Sequence, residues 1–200
     1  MRCAIALLSA IFFLPNPSSA QNKVDIEDLA HHPLESDFPS GGVLKMRIRS
    51  AEIHIVGRDE KKIAIHVGGK NGSDSDDVRA HFERVGDSGD LRVTGGPSNE
   101  VIITVQVPRS SNLKVHIFAG AVDVEGIQGN KDIELGAGDL SIGVGNPADY
   151  SNVDASVTSG AIEAEPFGES RGGLFRSFEK SGSGKYKLVA HVGAGDLTLK

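Results

Sequence analysis

The sequence has 200 residues and a formal net charge of −6 at pH 7, with 25 glycines, one cysteine and no tryptophan. A net negative charge argues against a surface for nucleic acid or anionic membranes, and we expect neither partner. Because the one cysteine is Cys3, the rest of the chain has no residue for disulfides, thiol catalysis or cysteine-bound metal.

The first twenty residues have the features of a secretory signal peptide. Arg2 precedes an apolar run from Ala4 to Leu14, which is followed by two prolines and by small residues ending at Ala20. This order is typical of a cleaved signal peptide, and the run is shorter than the roughly 20 residues that span a bilayer. We predict a signal peptide at 1–20 and an acidic N-terminal arm at 21–40. The mature protein is then periplasmic, at the cell surface or secreted, without a transmembrane segment.

A short pattern returns five times along the chain: two small residues, one further residue and an aliphatic residue. In every copy the residues five and three positions before the second small residue, and two and four after it, are apolar, as in Ile133, Leu135, Leu140 and Ile142. The residues between them are polar. This alternation indicates strands with one buried face, and its change of phase indicates a bend at the small pair. The predicted corner residues are Ala51, Gly120, Gly138, Gly160 and Gly195.

The spacing of the corners predicts how the strands are arranged. Three consecutive corners, at 120, 138 and 160, lie 18 and 22 residues apart, which is about one coil of a β-solenoid. Further strands are expected at 63–67 and 101–107. We predict an all-β, single-domain β-solenoid of stacked strand–corner–strand repeats over 41–200, with an excursion at 166–187 that is rich in glycine, serine and charge. A β-sandwich is the alternative, because short amphipathic strands joined by glycine turns also describe it.

Three segments resemble a known family. They are Phe38-Pro39-Ser40-Gly41-Gly42-Val43-Leu44, Val107-Pro108-Arg109-Ser110-Ser111-Asn112-Leu113 and His191-Val192-Gly193-Ala194-Gly195-Asp196-Leu197. In this order they are similar to the bacterial putative-adhesin domains, and the resemblance covers most of the mature chain. It implies an exported protein with a repetitive, right-handed β-helix-like fold, a role in adhesion and no catalytic residues. The chain departs from the family at Ala51, where glycine is usual, and in the 166–187 excursion.

The excursion is the most distinctive candidate for a binding surface. Five lysines and arginines against two glutamates give it a positive charge in an acidic protein, and phenylalanines are interleaved with them. It either binds a partner or caps the open end of the core with buried phenylalanines, and we favour the cap because repeat proteins need one. The candidate binding residues are Arg171, Phe175, Arg176, Phe178 and Lys180.

Two other groups of polar residues are candidates for a metal site. His116, Glu134 and His191 share one outward column, and Asp139 and Asp196 follow Gly-Ala-Gly corners. The first column also holds serine and arginine, and the second group lacks the tandem spacing of calcium-binding repeats. We therefore expect no metal and no cofactor, and we interpret outward carboxylates as solubilising.

These observations favour a non-catalytic exported envelope protein that serves as an adhesin-like scaffold or interaction surface. Its partner would be an envelope polysaccharide or another envelope protein. The alternative is a binding module for a small ligand or polysaccharide. A carbohydrate-active enzyme is the third hypothesis, since parallel β-helices can place paired carboxylates on a strand face.

Overall fold

The structure is a computed structural model that describes residues 21–69, 77–95 and 101–200. Within these ranges the chain forms thirteen strands, two short 3-10 turns and no α-helix, so the predicted all-β class is confirmed. The predicted signal peptide at 1–20 lies outside the described residues. The turns are Pro147–Asp149 and Glu165–Phe167. The strands are β1 (Gln21–Ile26), β2 (Leu34–Asp37), β3 (Val43–Arg58), β4 (Lys62–Gly69), β5 (Arg79–Val85), β6 (Ser88–Thr94), β7 (Val101–Pro108), β8 (Asn112–Glu125), β9 (Lys131–Ile142), β10 (Tyr150–Ala164), β11 (Glu169–Ser181), β12 (Tyr186–Ala194) and β13 (Leu197–Leu199).

The long strands bury one face on each side of a bend, as the alternation predicts. In β8, Val115 and Ile117 are buried before the bend and Val122 and Val124 after it, whereas His116 between the first pair is exposed. Successive side chains of a strand point to opposite faces. The buried residues can therefore switch from odd to even positions only where the backbone changes direction. The bend therefore keeps both halves of each strand facing one core.

The five corner residues lie in one column. Ala51 pairs with Gly120 and Gly120 with Gly138, and the remaining corners, at 195 and 160, continue the column. Gly138 has φ +124, and a Cβ built there would lie 1.8 Å from the carbonyl oxygen of Gly120. That contact is impossible for any other residue, so close stacking of the corners requires glycine. Ala51 is the first of the column, and its own methyl group is buried.

The order of the stacked strands corrects the prediction. Both the β-solenoid and the alternative β-sandwich are wrong as descriptions of this fold. The bent strands follow the order β3, β8, β9, then β12 with β13, then β10, so the last segment lies between two earlier strands. β9, β12, β10 and β13 pair in a closed ring in which every ladder is parallel. The fold is a closed four-strand parallel barrel with additional strands, whereas stacking in chain order would have left β9 beside β10.

The additional strands form the two ends of the sheet. On one side, β6 and β7 lie against the two halves of β3, β5 and β4 follow, and β1 and β2 are the edges. Residues 21–40, predicted as an arm, are thus part of the sheet, and Leu29, Leu34 and Phe38 are fully buried there. On the other side, β11 pairs with β10. The predicted excursion at 166–187 is mainly this strand.

Candidate interaction surface at the terminal strand

β11 runs antiparallel to β10 along both halves of that bent strand. A 3-10 turn and Gly168, with φ +75, reverse the chain between the two strands. Within the described residues β11 pairs with no other strand, so its second edge presents unpaired backbone N–H and C=O groups. Open edges of this kind are templates for pairing with another chain. The candidate binding residues named from the sequence all lie on this strand.

Phe178 covers the end of the core. It lies directly opposite Ala155 on β10 and is 4% exposed, and its ring centroid is 5.7 Å from that of Phe167. The ammonium group of Lys180 lies 5.3 Å from the centre of the Phe167 ring, at a distance suited to a cation–π contact. Phe178 therefore has the buried surroundings that the predicted cap requires.

Phe175 and Leu174 lie at the bend of β11 and face away from the core. They are 80% and 63% exposed, and Phe175 has φ +52, a left-handed conformation that is rare for an aromatic residue. The expectation that both phenylalanines are buried is wrong for Phe175, because the backbone at the bend turns its ring toward solvent. An exposed aromatic residue beside an open edge is typical of a binding surface.

The cations of β11 are held in different ways. Arg171 is paired with Glu169 at 3.1 Å. Arg176 folds its guanidinium over Gly173, where a Cβ would lie 2.8 Å from it. Neither Arg176 nor Lys180 has an ion pair within the described part of the chain. Both charges remain available to an acidic partner.

The outward histidine column is a set of pairwise contacts. His116 Nδ1 lies 3.0 Å from Glu134 Oε2, and His191 Nδ1 lies 2.9 Å from the hydroxyl of Ser156. Glu134 and His191 are neighbours across the β9–β12 ladder. No group of three histidine, cysteine or carboxylate side chains able to hold a metal ion occurs in the described ranges.

The two aspartates that follow corners connect neighbouring strands. Asp139 accepts a hydrogen bond from the backbone N–H of Asp196 at 3.2 Å, and Asp196 accepts one from the N–H of Ala161 at 2.8 Å. These carboxylates satisfy amides that the bend leaves without ladder partners. The structure thus gives the Gly-Asp motif a structural role at the corners.

Lys131 is a buried cation that the sequence analysis did not single out. It is 1% exposed, and its Nζ lies 2.6 Å from the hydroxyl of Tyr150 and 3.4 Å from the carbonyl oxygen of Gly129. Tyr150 in turn donates to the carbonyl of Val144 at 3.1 Å. Burial lowers the pKa of Lys131 to about 8 and raises the pKa of Tyr150 to about 12.

The register contained a signal for this lysine. Lys131 lies seven residues before the corner Gly138, on the inward side of β9, and its neighbours across the two ladders are Leu113 and Leu188. A charged residue in a column of leucines could have been found by extending the repeat alignment by two residues.

A cavity of about 460 Å³ lies beside this pair of side chains. Tyr150 and Tyr186 form an aromatic part of its wall, with ring centroids 6.4 Å apart, and Asp149 and Asn146 contribute polar groups. The size and the mixture of aromatic and polar groups suit a small polar molecule. No sequence motif indicates this cavity, because its wall comes from five separate segments of the chain.

Comparison with known proteins does not assign the chain to a family. No family model matches the sequence, and no curated protein matches it. A crystal structure of a putative cell adhesion protein from Clostridium sporogenes aligns over 90% of this chain and 99% of that chain, with a TM-score of 0.47 and 14% sequence identity. A similarity at this level does not establish a common fold, and the resemblance to putative-adhesin domains stays a prediction. The described part of the chain has no apolar helix of membrane-spanning length.

Proposed function

We propose that this protein is an exported, non-catalytic scaffold of the cell envelope that attaches to an acidic partner through the outer edge and bend of β11. The observation that carries the proposal is the coincidence of three features on one strand: an unpaired edge, the exposed Phe175 and the unpaired cations Arg176 and Lys180. The signal peptide predicted at 1–20 supports export to the periplasm or the cell surface.

Each feature contributes a different part of the binding energy. Backbone groups of an open edge can pair with an extended chain, and aromatic and arginine side chains are the residues most often responsible for affinity at interfaces. Lysine and arginine on an acidic protein attract a partner of negative charge at long range. A carboxylate-bearing polysaccharide or an acidic envelope protein fits this chemistry.

Three of the outward carboxylates support a non-catalytic role, because each already makes a structural contact. Glu134 is paired with His116, Glu52 lies 3.1 Å from His54, and Asp196 holds the amide of a neighbouring strand. A glycosidase needs one carboxyl group free to donate a proton and a second one opposite it. The contacts made by these side chains favour stabilisation of the stacked strands instead.

The experiment compares two phenylalanines and two cations. Binding to alginate, a carboxylate-rich polysaccharide, is measured by isothermal titration calorimetry at low ionic strength, with the melting temperature of each variant measured in parallel. Phe175→Ser and Arg176→Glu should each weaken binding at least tenfold and leave the melting temperature within about 2 °C, since both side chains are exposed.

Two controls complete the design. Lys45→Glu makes the same change of charge on the exposed face of β3 and should leave binding unaltered apart from a small general effect of charge. Phe178→Ser should lower the free energy of unfolding by several kcal/mol, because it removes a buried ring. Unchanged binding by both Phe175→Ser and Arg176→Glu would refute the proposal.

A second function, the binding of a small sugar, is favoured by the cavity beside Tyr150 and Tyr186. Tyrosines commonly stack on or hydrogen-bond to polar ligands in such sites. Galactose and galacturonate would be titrated to millimolar concentration while the ring resonances of both tyrosines are followed by NMR. Saturable shifts that Tyr186→Phe weakens are expected if this function holds, and the absence of shifts would exclude it for these sugars.

A further inference from the structure

We propose that the acidic partner of β11 is the opposite end of a second copy of this chain, so that copies associate end to end. The β11 edge of one copy would pair with the β1 and β2 edges of the next. This inference rests on the proposed function of β11 as an attachment surface, and it names the occupant of that surface.

The two surfaces lie at the two ends of the sheet. β1 and β11 are the terminal strands of the hydrogen-bonded path, and β2 is the edge of the branch that runs through β4 and β7. Among the described residues, β1 pairs with β5, β2 pairs with β4 and β11 pairs with β10, each on one side only. Every one of these strands therefore has a free edge, and the free edges point in opposite directions along the stack.

The strand directions at the two ends are complementary. β3, β8, β9, β12 and β10 are mutually parallel, and β11 is antiparallel to β10. At the other end, β6 is parallel to β3, β5 is antiparallel to β6, and β1 is antiparallel to β5, so β1 has the direction of β3. The same reasoning through β7 and β4 gives β2 that direction. A second copy stacked in the same orientation would pair with β11 as an antiparallel ladder.

The halves of the strands also match. The part of β11 at 176–181 lies beside the half of β10 that precedes the corner, and the part at 169–171 lies beside the half that follows it. At the opposite end, β1 belongs to the half before the corner and β2 to the half after it. In the stacked arrangement, the six residues Gln21–Ile26 of one copy would face the six residues 176–181 of the neighbouring copy. Leu34–Asp37 would face the other half of β11.

The charges of the two ends favour this pairing over a symmetric one. The segment 21–40 has five carboxylates and one lysine, and the segment 166–187 has five cations and two carboxylates. Four of the carboxylates make largely exposed contacts with basic groups, which neutralise them only weakly: Asp25 with Lys23 and His81, Glu27 with Arg79, Asp28 with His31 and Glu35 with Lys62. A two-fold dimer through β11 alone would bring the basic segments together, whereas end-to-end stacking joins opposite charges.

The exposed apolar residues are placed consistently with this arrangement. Leu174 and Phe175 lie at the bend of β11, and at the other end the segment 27–33 joins β1 to β2 across the same bend. Stacking would bring that segment over the two side chains and remove them from water. Because the two contacting surfaces differ and lie at opposite ends of the sheet, the association is head-to-tail and can continue beyond two copies into linear chains.

Analytical ultracentrifugation of the purified protein tests the inference. The weight-average sedimentation coefficient should rise with protein concentration beyond the value for a dimer, and raising the salt to about 0.5 M should return it toward the monomer value. The double variant Arg171→Glu with Arg176→Glu reverses the charge of the β11 end. The double variant Glu35→Lys with Asp37→Lys reverses the charge of the acidic end. Each double variant alone should sediment as a monomer, with an unchanged circular dichroism melt.

An equimolar mixture of the two double variants should form chains again, because each reversed end then meets an end of opposite charge. A monomeric native protein at every concentration up to about 5 mg/ml would overturn the inference, and so would a dimer that survives reversal of the acidic end. If the native protein stays monomeric but binds alginate through Arg176, self-association is wrong and the proposed function stands. If it does neither, both are wrong.

Discussion

Replacement of Lys131 by methionine should stabilise this protein at neutral pH. The side chain is 1% exposed in a column of leucines, and its ammonium group has two oxygen atoms near it, from Tyr150 and Gly129. Burial lowers its pKa from 10.5 to about 8, so the charged form is less favourable in the folded state than in the unfolded chain. Methionine keeps an unbranched apolar stem of similar length and carries no charge.

The expected change in the free energy of unfolding follows from the pKa shift of Lys131. Each unit of pKa corresponds to about 1.4 kcal/mol, and the shift of Lys131 therefore represents about 3 kcal/mol. Between pH 8 and 10 the unfolded chain holds the proton and the folded protein has released it, so stability rises with pH. Above pH 10 the raised pKa of Tyr150 has the opposite effect, because the folded state then retains a proton that the unfolded chain loses.

Urea unfolding at pH 7 and at pH 10 measures the prediction. The native protein should gain about 2 to 3 kcal/mol of unfolding free energy from this lysine between the two values, and Lys131→Met should lack that gain and be more stable at pH 7. Lys114→Met, an exposed lysine on the adjacent strand, is the matched control and should change neither quantity. A Lys131→Met variant that is less stable at pH 7, with the same pH dependence as the native protein, would refute the reasoning.

Two further predictions test the register and the corners. Leu140→Asp should lower the free energy of unfolding by more than about 4 kcal/mol, because it buries a carboxylate and removes a leucine. Ser141→Asp, on the outward side of the same strand, should cost less than about 1 kcal/mol. Equal costs in chemical melts would contradict the predicted alternation of buried and outward residues. Gly138→Ala should prevent folding or lower the free energy of unfolding by more than about 3 kcal/mol, because the added methyl group would overlap a carbonyl oxygen. Gly145 also has a positive φ but has open space around it, so Gly145→Ala should lower the free energy of unfolding by about 1 kcal/mol. Similar melting temperatures for the two alanine variants would show that the corner column tolerates a side chain.

The sequence contained enough information for the strands and their faces. A period of two requires only that successive side chains alternate, so Val122 and Val124 could be placed inside and Asp123 outside without knowing any neighbour. The change of phase at a small pair located the bends for the same reason. Both properties depend on a few consecutive residues, which is why sequence alone could supply them.

The arrangement of the strands could not be derived in the same way. The corner Ala194-Gly195-Asp196 is identical to Ala137-Gly138-Asp139, so either could lie next to Gly160 by local criteria. We expected chain order, and the fold instead inserts the last segment between β9 and β10. Contacts between residues 57 positions apart, such as that of Asp139 with Asp196, determine the order, and no local pattern reports them.

The surface of β11 was predicted in part for a related reason. Charge and aromatic content selected the correct segment, because both are properties of composition. The same reasoning treated Phe175 and Phe178 as equivalent, because the segment 166–187 was predicted as an excursion and not as a strand. In β11, residues three positions apart face opposite sides of the strand, so Phe178 faces the core and Phe175 faces solvent, where its backbone is left-handed at the bend.

The two Gly-Asp corners explain how a repetitive sequence can still specify one order of strands. Asp139 of β9 binds the amide of Asp196, and Asp196 binds the amide of Ala161 in β10, so the carboxylates connect β9 to the last segment and that segment to β10. If β10 lay directly on β9, Ala161 would meet Asp139, but Asp196 would lose its amide partner and the amide of Asp196 would lose the carboxylate of Asp139. Insertion satisfies both carboxylates, and a hydrogen bond to a charged group contributes about 1.5–3 kcal/mol. The hydrogen-bonding requirements of the last segment, rather than its hydrophobic pattern, therefore favour the closed ring over stacking in chain order.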